Sequence, residues 1–183
     1  TCRHIKTSSE PAYIYASVAS GKTIMQAMIA KHCQQVAEIK NKPQLRILCI
    51  ARTGELVEQN AEEMWVMSAR NSIYSASVKI KSTRYPTIVG SEGTLYRSLM
   101  TALKNIRFDI LLWDECHQLP FDDLESQGMK IVTELQARNP DIKIIGYTGS
   151  PWRGSEPIKG AFWKHELYRL SMWEQIETGD VIR

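Results

Sequence analysis

Two apolar runs, each ending abruptly in polar and charged residues, constrain this chain more than anything else in it. Tyr13-Ile14-Tyr15-Ala16 is β-prone and leads through Ser17 to Ser20 into Gly21-Lys22-Thr23, where a helical pattern begins. Phe108 to Trp113 is the most apolar strand pattern of the chain, and its C-terminal tip delivers Asp114-Glu115-Cys116-His117. Leu45 to Ala51, interrupted only by Arg46, and Ile142 to Thr148 are further continuous apolar runs. Strands of this kind belong to parallel sheets covered on both faces. Ile73 to Ile80 and Thr87-Ile88-Val89 read as additional strands. Helical patterns fill the intervals: Gly21 to Lys40, with Ile24, Met28, Ile29 and His32 at helix-face spacing, then Glu55 to Met67, Thr94 to Leu103 and Phe121 to Arg138. Asn41-Lys42-Pro43 and Asn139-Pro140 close the first and last of these. Ser171-Met172-Trp173-Glu174 has capping-box form and predicts a short helix stopping at Gly179. Strands alternating with helices predict an α/β domain with a mainly parallel central sheet.

The 183 residues, 43% of them hydrophobic, suffice for one domain with its own core. A net charge of +3 is compatible with a nucleic-acid partner without arguing for one. The cysteines Cys2, Cys33, Cys49 and Cys116 show no CxxC spacing, which argues against zinc, and Cys33 and Cys49 read as small core residues. With no signal peptide and no apolar run of membrane-spanning length, the chain reads as cytoplasmic. Thr1 to Pro11 is polar and aperiodic, and the first residue is not Met, so residues 1–183 are expected to be one domain excised from a longer protein. Trp65, Trp113, Trp163 and Trp173 lie in packing-like patterns, whereas Trp152, beside Arg153, falls in a predicted loop.

A strand-to-helix turn ending Gly-Lys-Thr aims backbone N–H groups and the positive end of a helix dipole at phosphate oxygens. Gly21 permits close approach, Lys22 reaches the β- and γ-phosphates, and the Thr23 hydroxyl is a magnesium ligand candidate. Carboxylates at the end of a buried strand are costly unless they face a cation or solvent. Asp114 is the candidate magnesium partner and Glu115 the candidate base for an attacking water. Strand alternation would aim the two at opposite faces.

These residues bring a family into view. The chain resembles the first RecA-like lobe of the superfamily-two helicases and translocases, the DEAD/DEAH-box group. Asp114-Glu115-Cys116-His117 matches the DExH box, and Ala16 through Thr23 resembles the A-x-x-G-x-G-K-T loop, with Ala19 in a glycine place. Gly146-Tyr147-Thr148-Gly149-Ser150-Pro151-Trp152-Arg153 is similar to motif III, and Glu55-Leu56-Val57-Glu58-Gln59-Asn60 to motif Ia. Gly90 to Leu95 lies where motif Ib falls. Among subgroups, the Asp-Glu-Cys-His form most resembles RadD-like and restriction-subunit-like DNA translocases.

The resemblance implies a three-layer RecA-like P-loop NTPase domain using ATP and Mg2+. It implies ATP binding by Ala19, Ser20, Gly21, Lys22 and Thr23, magnesium at Thr23 and Asp114, and catalysis by Lys22, Asp114 and Glu115. His117, Thr148 and Ser150 would couple nucleotide to nucleic acid, with DNA favoured over RNA. Arg52, Thr53, Ser91 and Thr94 would grip strand phosphates. A second RecA-like lobe, toward which residues from about 160 to 183 would lead, supplies arginine fingers in this family, so the lobe by itself is expected to hydrolyse ATP poorly. Two other readings stay open from the residues: a P-loop binding module whose nucleotide site has decayed, supported by Ala19, and an ATPase switch that remodels protein.

Overall fold

A computed structural model describes residues 1–17, 21–160 and 162–171. In chain order the elements are α1 (Cys2–Thr7), β1 (Ala12–Ala16), α2 (Lys22–Ile39), β2 (Ile47–Ala51), α3 (Gly54–Val66), β3 (Ser72–Ser75), β4 (Ile80–Lys81) and β5 (Thr87–Ser91). There follow α4 (Glu92–Leu99), β6 (Ile110–Trp113), a 3-10 turn (Cys116–Gln118), α5 (Gln127–Arg138), β7 (Lys143–Thr148), β8 (Trp152–Arg153), β9 (Glu156–Pro157) and β10 (His165–Leu170). Eight strands form one sheet in the order β10-β1-β7-β6-β2-β5-β3-β4. Its pairings are parallel except that of β3 with β4.

Period-two alternation distributes the strand side chains to two cores. On β2, Ile47, Cys49 and Ala51 pack with Ala27, Ile29, Ala30, Val57, Ala61 and Met64 of α2 and α3. Leu48 and Ile50 face the other way, toward Leu95, Leu99, Met129, Val132 and Leu135 of α4 and α5. The result is the expected three-layer arrangement, with every interior strand buried on both faces.

Several local expectations give way to tertiary context. The opening stretch contains α1, short and polar, where the sequence shows no periodicity. The strand expected over 73–80 is a hairpin: β3 and β4 are joined through Lys79 at φ 60, and Ser82 N–H bonds Ile73 O at 2.9 Å. Helix α4 starts at Glu92 rather than Thr94, with Ser91 as its N-cap residue, and stops at Leu99, after which turns carry the chain to Leu103. Helix α5 starts only at Gln127, where Ser126 caps it by accepting the Met129 N–H at 3.3 Å.

On α2 the inward face is Gln26, Ala27, Ile29, Ala30, Gln34 and Ala37. Of the expected face only Ile29 is buried, while Ile24, Met28 and His32 point outward. Trp113 and Trp163 are buried, but Trp65 is half exposed and packs edge-on against Tyr85. Cys49 is buried and Cys33 only partly. Strand β10 has no apolar alternation to announce it; it pairs with β1 alone at the sheet edge. The helix predicted from Ser171 and its Trp173 extend beyond the described residues, as do Ala19 and Ser20. Among the described residues no helix is long and apolar enough to cross a membrane.

Candidate functional site

In a parallel sheet all carboxyl ends lie along one edge, where ligands of open α/β folds are held. Here β7 lies between β1 and β6. The turn after β1, the turn after β6 and the tip of β7 therefore converge. Gly21 adopts φ 74, a left-handed conformation natural to glycine, and α2 begins at the next residue. Lys22 Nζ lies 3.1 Å from Glu115 Oε1, with both side chains largely shielded from solvent. The lysine turn and the acidic doublet thus meet across a single crevice.

The doublet is not aimed by strand alternation, as the sequence suggested. Strand β6 ends at Trp113, and Glu115 has φ 47, so the backbone turns left-handed into the 3-10 turn. Asp114 keeps register through its N–H to Ile50 O at 3.0 Å, and its Oδ1 accepts the Glu115 N–H at 3.0 Å. Burial, then the neighbouring Glu115 charge, push the Asp114 carboxyl above its ordinary range; Lys22 and a hydrogen bond from the Asn60 side chain oppose that rise. The same Asn60, buried on α3, accepts the Thr23 hydroxyl proton at 3.0 Å.

His117 leads from this crevice to β7. Thr148 Oγ1 donates to Ser150 O at 2.7 Å, so its lone pairs receive the Ser150 N–H at 3.0 Å and His117 Nδ1 at 2.8 Å. With the threonine proton committed to Ser150, Nδ1 must carry the imidazole proton. The same Nδ1 lies 3.4 Å from Glu115 Oε2. Burial holds His117 below its ordinary pKa against the pull of Glu115, which favours the neutral ring. Gly146 makes the arrangement possible: a Cβ there would lie 2.5 Å from Cys116 Sγ and 2.8 Å from Trp163 Cη2, so only glycine lets the 3-10 turn press against β7.

The remaining predicted residues lie farther along the edge. Arg52 and Thr53 follow β2 and are exposed. The Arg52 guanidinium donates to Gln118 Oε1, and Thr53 caps α3 by accepting the Leu56 N–H at 3.3 Å. Ser91 and Thr94 are buried. Ser91 donates to Thr94 Oγ1 at 2.9 Å, and Thr94 accepts the Ala76 N–H at 3.1 Å. Their hydroxyls therefore fasten the start of α4 to β3. A cavity of about 220 Å³ lies between these segments and the doublet, lined by Arg52, Glu92, Asp114, Glu115 and Gln118 among others. Burial raises the Glu92 carboxyl above its ordinary range, opposed by Arg52.

Asn60, Glu92 and Gln118 were not singled out by sequence reasoning. Asn60 had a legible signal: it is the polar member of the buried stripe Val57, Asn60, Ala61, Met64 on α3. Gln118 and Glu92 carried none, since polar residues after a strand are ordinary.

The donor set suits magnesium. Thr23 and Asp114 offer hard oxygen ligands of the kind magnesium takes, and burial makes a cation beside the Asp114 carboxylate favourable. Among the described residues no three His, Cys, Asp or Glu side chains converge to cage an ion. Magnesium does not demand such a cage, because it keeps waters and takes phosphate oxygens.

Comparison with known proteins identifies the family and the fold. The family described as "Type III restriction enzyme, res subunit" matches residues 1–153. The human DNA repair and recombination protein RAD54B is 30% identical over 139 residues, covering 72% of this chain and 14% of that protein. The UvsW helicase of bacteriophage T4 superposes with a TM-score of 0.62 at 16% identity, over 87% of this chain and 54% of its own. The type ISP restriction-modification enzyme LlaGI, solved with a DNA substrate mimic, gives 0.64 at 10% identity, over 97% of this chain and 19% of its own. Dbp5 of S. cerevisiae, bound to RNA and ADP BeF3, gives 0.60 at 15% identity, over 77% and 36%. The chain thus spans about one seventh of RAD54B and between a fifth and just over half of these three structures.

Proposed function

The chain belongs to the type III restriction enzyme Res-subunit family and has the fold of a superfamily-two RecA-like helicase lobe, and from that premise we propose that it is the ATP-binding lobe of a nucleic-acid-dependent motor. The observation that carries the proposal is the 3.1 Å contact of Lys22 with Glu115, which puts the phosphate-seeking cation and the candidate base in one crevice. Lys22 would leave Glu115 for the triphosphate, and the freed Glu115 carboxylate would orient and deprotonate the attacking water. Backbone N–H groups at the start of α2, together with Ala19, Ser20 and Gly21, would cradle the phosphates. Thr23 and Asp114 would hold magnesium, which supplies neutralisation of charge on the β- and γ-oxygens.

His117, Thr148 and Ser150 would carry the state of Glu115 to the rest of the edge. Arg52 and Thr53 would face the nucleic acid, while Ser91 and Thr94 would shape the α4 N-terminus behind them. RAD54B's role in DNA repair and LlaGI's DNA substrate mimic support DNA over RNA, against Dbp5 with RNA. A second lobe of the parent protein would supply transition-state cations, worth on the order of 10³–10⁵ in rate. The buried thiols of Cys49 and Cys116 support a cytoplasmic setting.

The test is ATPase activity of the two-lobed parent with single-stranded DNA, duplex DNA and RNA in turn. DNA stimulation, lost in Lys22→Ala and Glu115→Gln, is expected. A Lys22→Ala variant that binds and hydrolyses ATP as the native protein does would end the proposal.

A further inference from the structure

Asn60 is 2% exposed and lies beside the two residues proposed to hold magnesium. Its carboxamide oxygen accepts from Thr23 Oγ1 at 3.0 Å, and its amide lies close enough to the Asp114 carboxylate to favour the ionised form. The chemistry of the partners fixes which end faces which. An ionised carboxylate only accepts, so the amide nitrogen must face Asp114 and the amide oxygen must face Thr23. The Thr23 hydroxyl is therefore made to donate to Asn60, and its lone pairs are left to point elsewhere. A hydroxyl that ligates a cation needs this orientation: proton turned away, lone pair forward. Asp114 is meanwhile held by the Glu115 N–H at 3.0 Å, with the Asn60 amide beside it.

We propose that Asn60 is a positioning residue that orients the Thr23 hydroxyl and the Asp114 carboxylate toward a shared magnesium–nucleotide site. The proposal rests on the reading of that site as a magnesium–nucleotide site. It adds that α3, through Asn60, is part of the site although it supplies no ligand. Second residues of this kind govern metal affinity by holding ligands in place, and their loss typically lowers it on the order of 10–100-fold.

The test measures binding of a fluorescent ADP to the chain with EDTA and with magnesium. In the native chain magnesium tightens binding. In Asn60→Leu, close to the native side chain in size, that tightening falls by about tenfold, while the EDTA affinity stays within about twofold. Asn60→Asp, which still accepts from Thr23 but sets a carboxylate against Asp114, loses the tightening as well and carries the test should the leucine variant not fold. Native-like tightening in either folded variant overturns the role of Asn60 alone. A native chain whose ADP affinity ignores magnesium overturns both this inference and the reading beneath it.

Discussion

Replacing Thr148 by valine tests the link from the acidic doublet to β7. Thr148 is fully buried, and valine keeps its shape, so the change leaves no cavity. What it removes is three hydrogen bonds: to Ser150 O, from Ser150 N–H and from His117 Nδ1. At about 0.5–1.5 kcal/mol each, with partly buried partners that water can partly re-satisfy, the loss should be about 2 kcal/mol. For a domain of this size that corresponds to a fall in melting temperature of roughly 4–8 °C. Urea denaturation of the native chain, Thr148→Val, His117→Ala and the double variant closes a cycle. The two changes should couple by about 1 kcal/mol, because each removes the same His117–Thr148 contact. Strict additivity, or a Thr148→Val variant as stable as the native chain, would refute the contact and with it the coupling role assigned to His117.

Three other changes are worth making. Gly146→Ala should destabilise by about 1–3 kcal/mol or more in the same denaturation assay, and Cys116→Ala should restore only part of that, since Cys116 Cβ would still lie 2.6 Å from the new methyl group. Gln26 is buried with neither end of its amide bonded, so Gln26→Met should stabilise the chain by about 1 kcal/mol. Glu92 has its pKa raised by burial, so its contribution to stability is complete below 4.5 and lost as pH rises through the higher folded value. Glu92→Gln should flatten that limb of the stability–pH curve and be more stable than the native chain at neutral pH.

The layered sheet was legible because its interior strands are doubly buried and so continuously apolar; β2, β6 and β7 lie within one or two residues of where their sequences place them. The meeting of the Lys22 turn with the Asp114-Glu115 doublet was legible too, because both follow strands of a parallel sheet, whose carboxyl ends share an edge. What lies between them was not. Asn60 is twenty-one residues past the end of the helix whose start it steadies; in the sequence it is one polar residue on an amphipathic helix, and only the packing of α3 on the sheet shows what it touches. The direction of Glu115 depends on a left-handed backbone at a non-glycine residue, which no periodicity foretells. Strand β10 and the hairpin β3–β4 sit at sheet edges, where burial does not impose a pattern.

The central claim is that Lys22, Thr23, Asp114 and Glu115 close on one magnesium-bound triphosphate. A crystal structure of the chain with magnesium and a non-hydrolysable ATP analogue tests it most directly. It should show Lys22 Nζ parted from Glu115 and bound to phosphate oxygens, with the metal between Thr23 and Asp114. A nucleotide bound while the Lys22–Glu115 pair stays intact, or seated away from this crevice, would contradict the account.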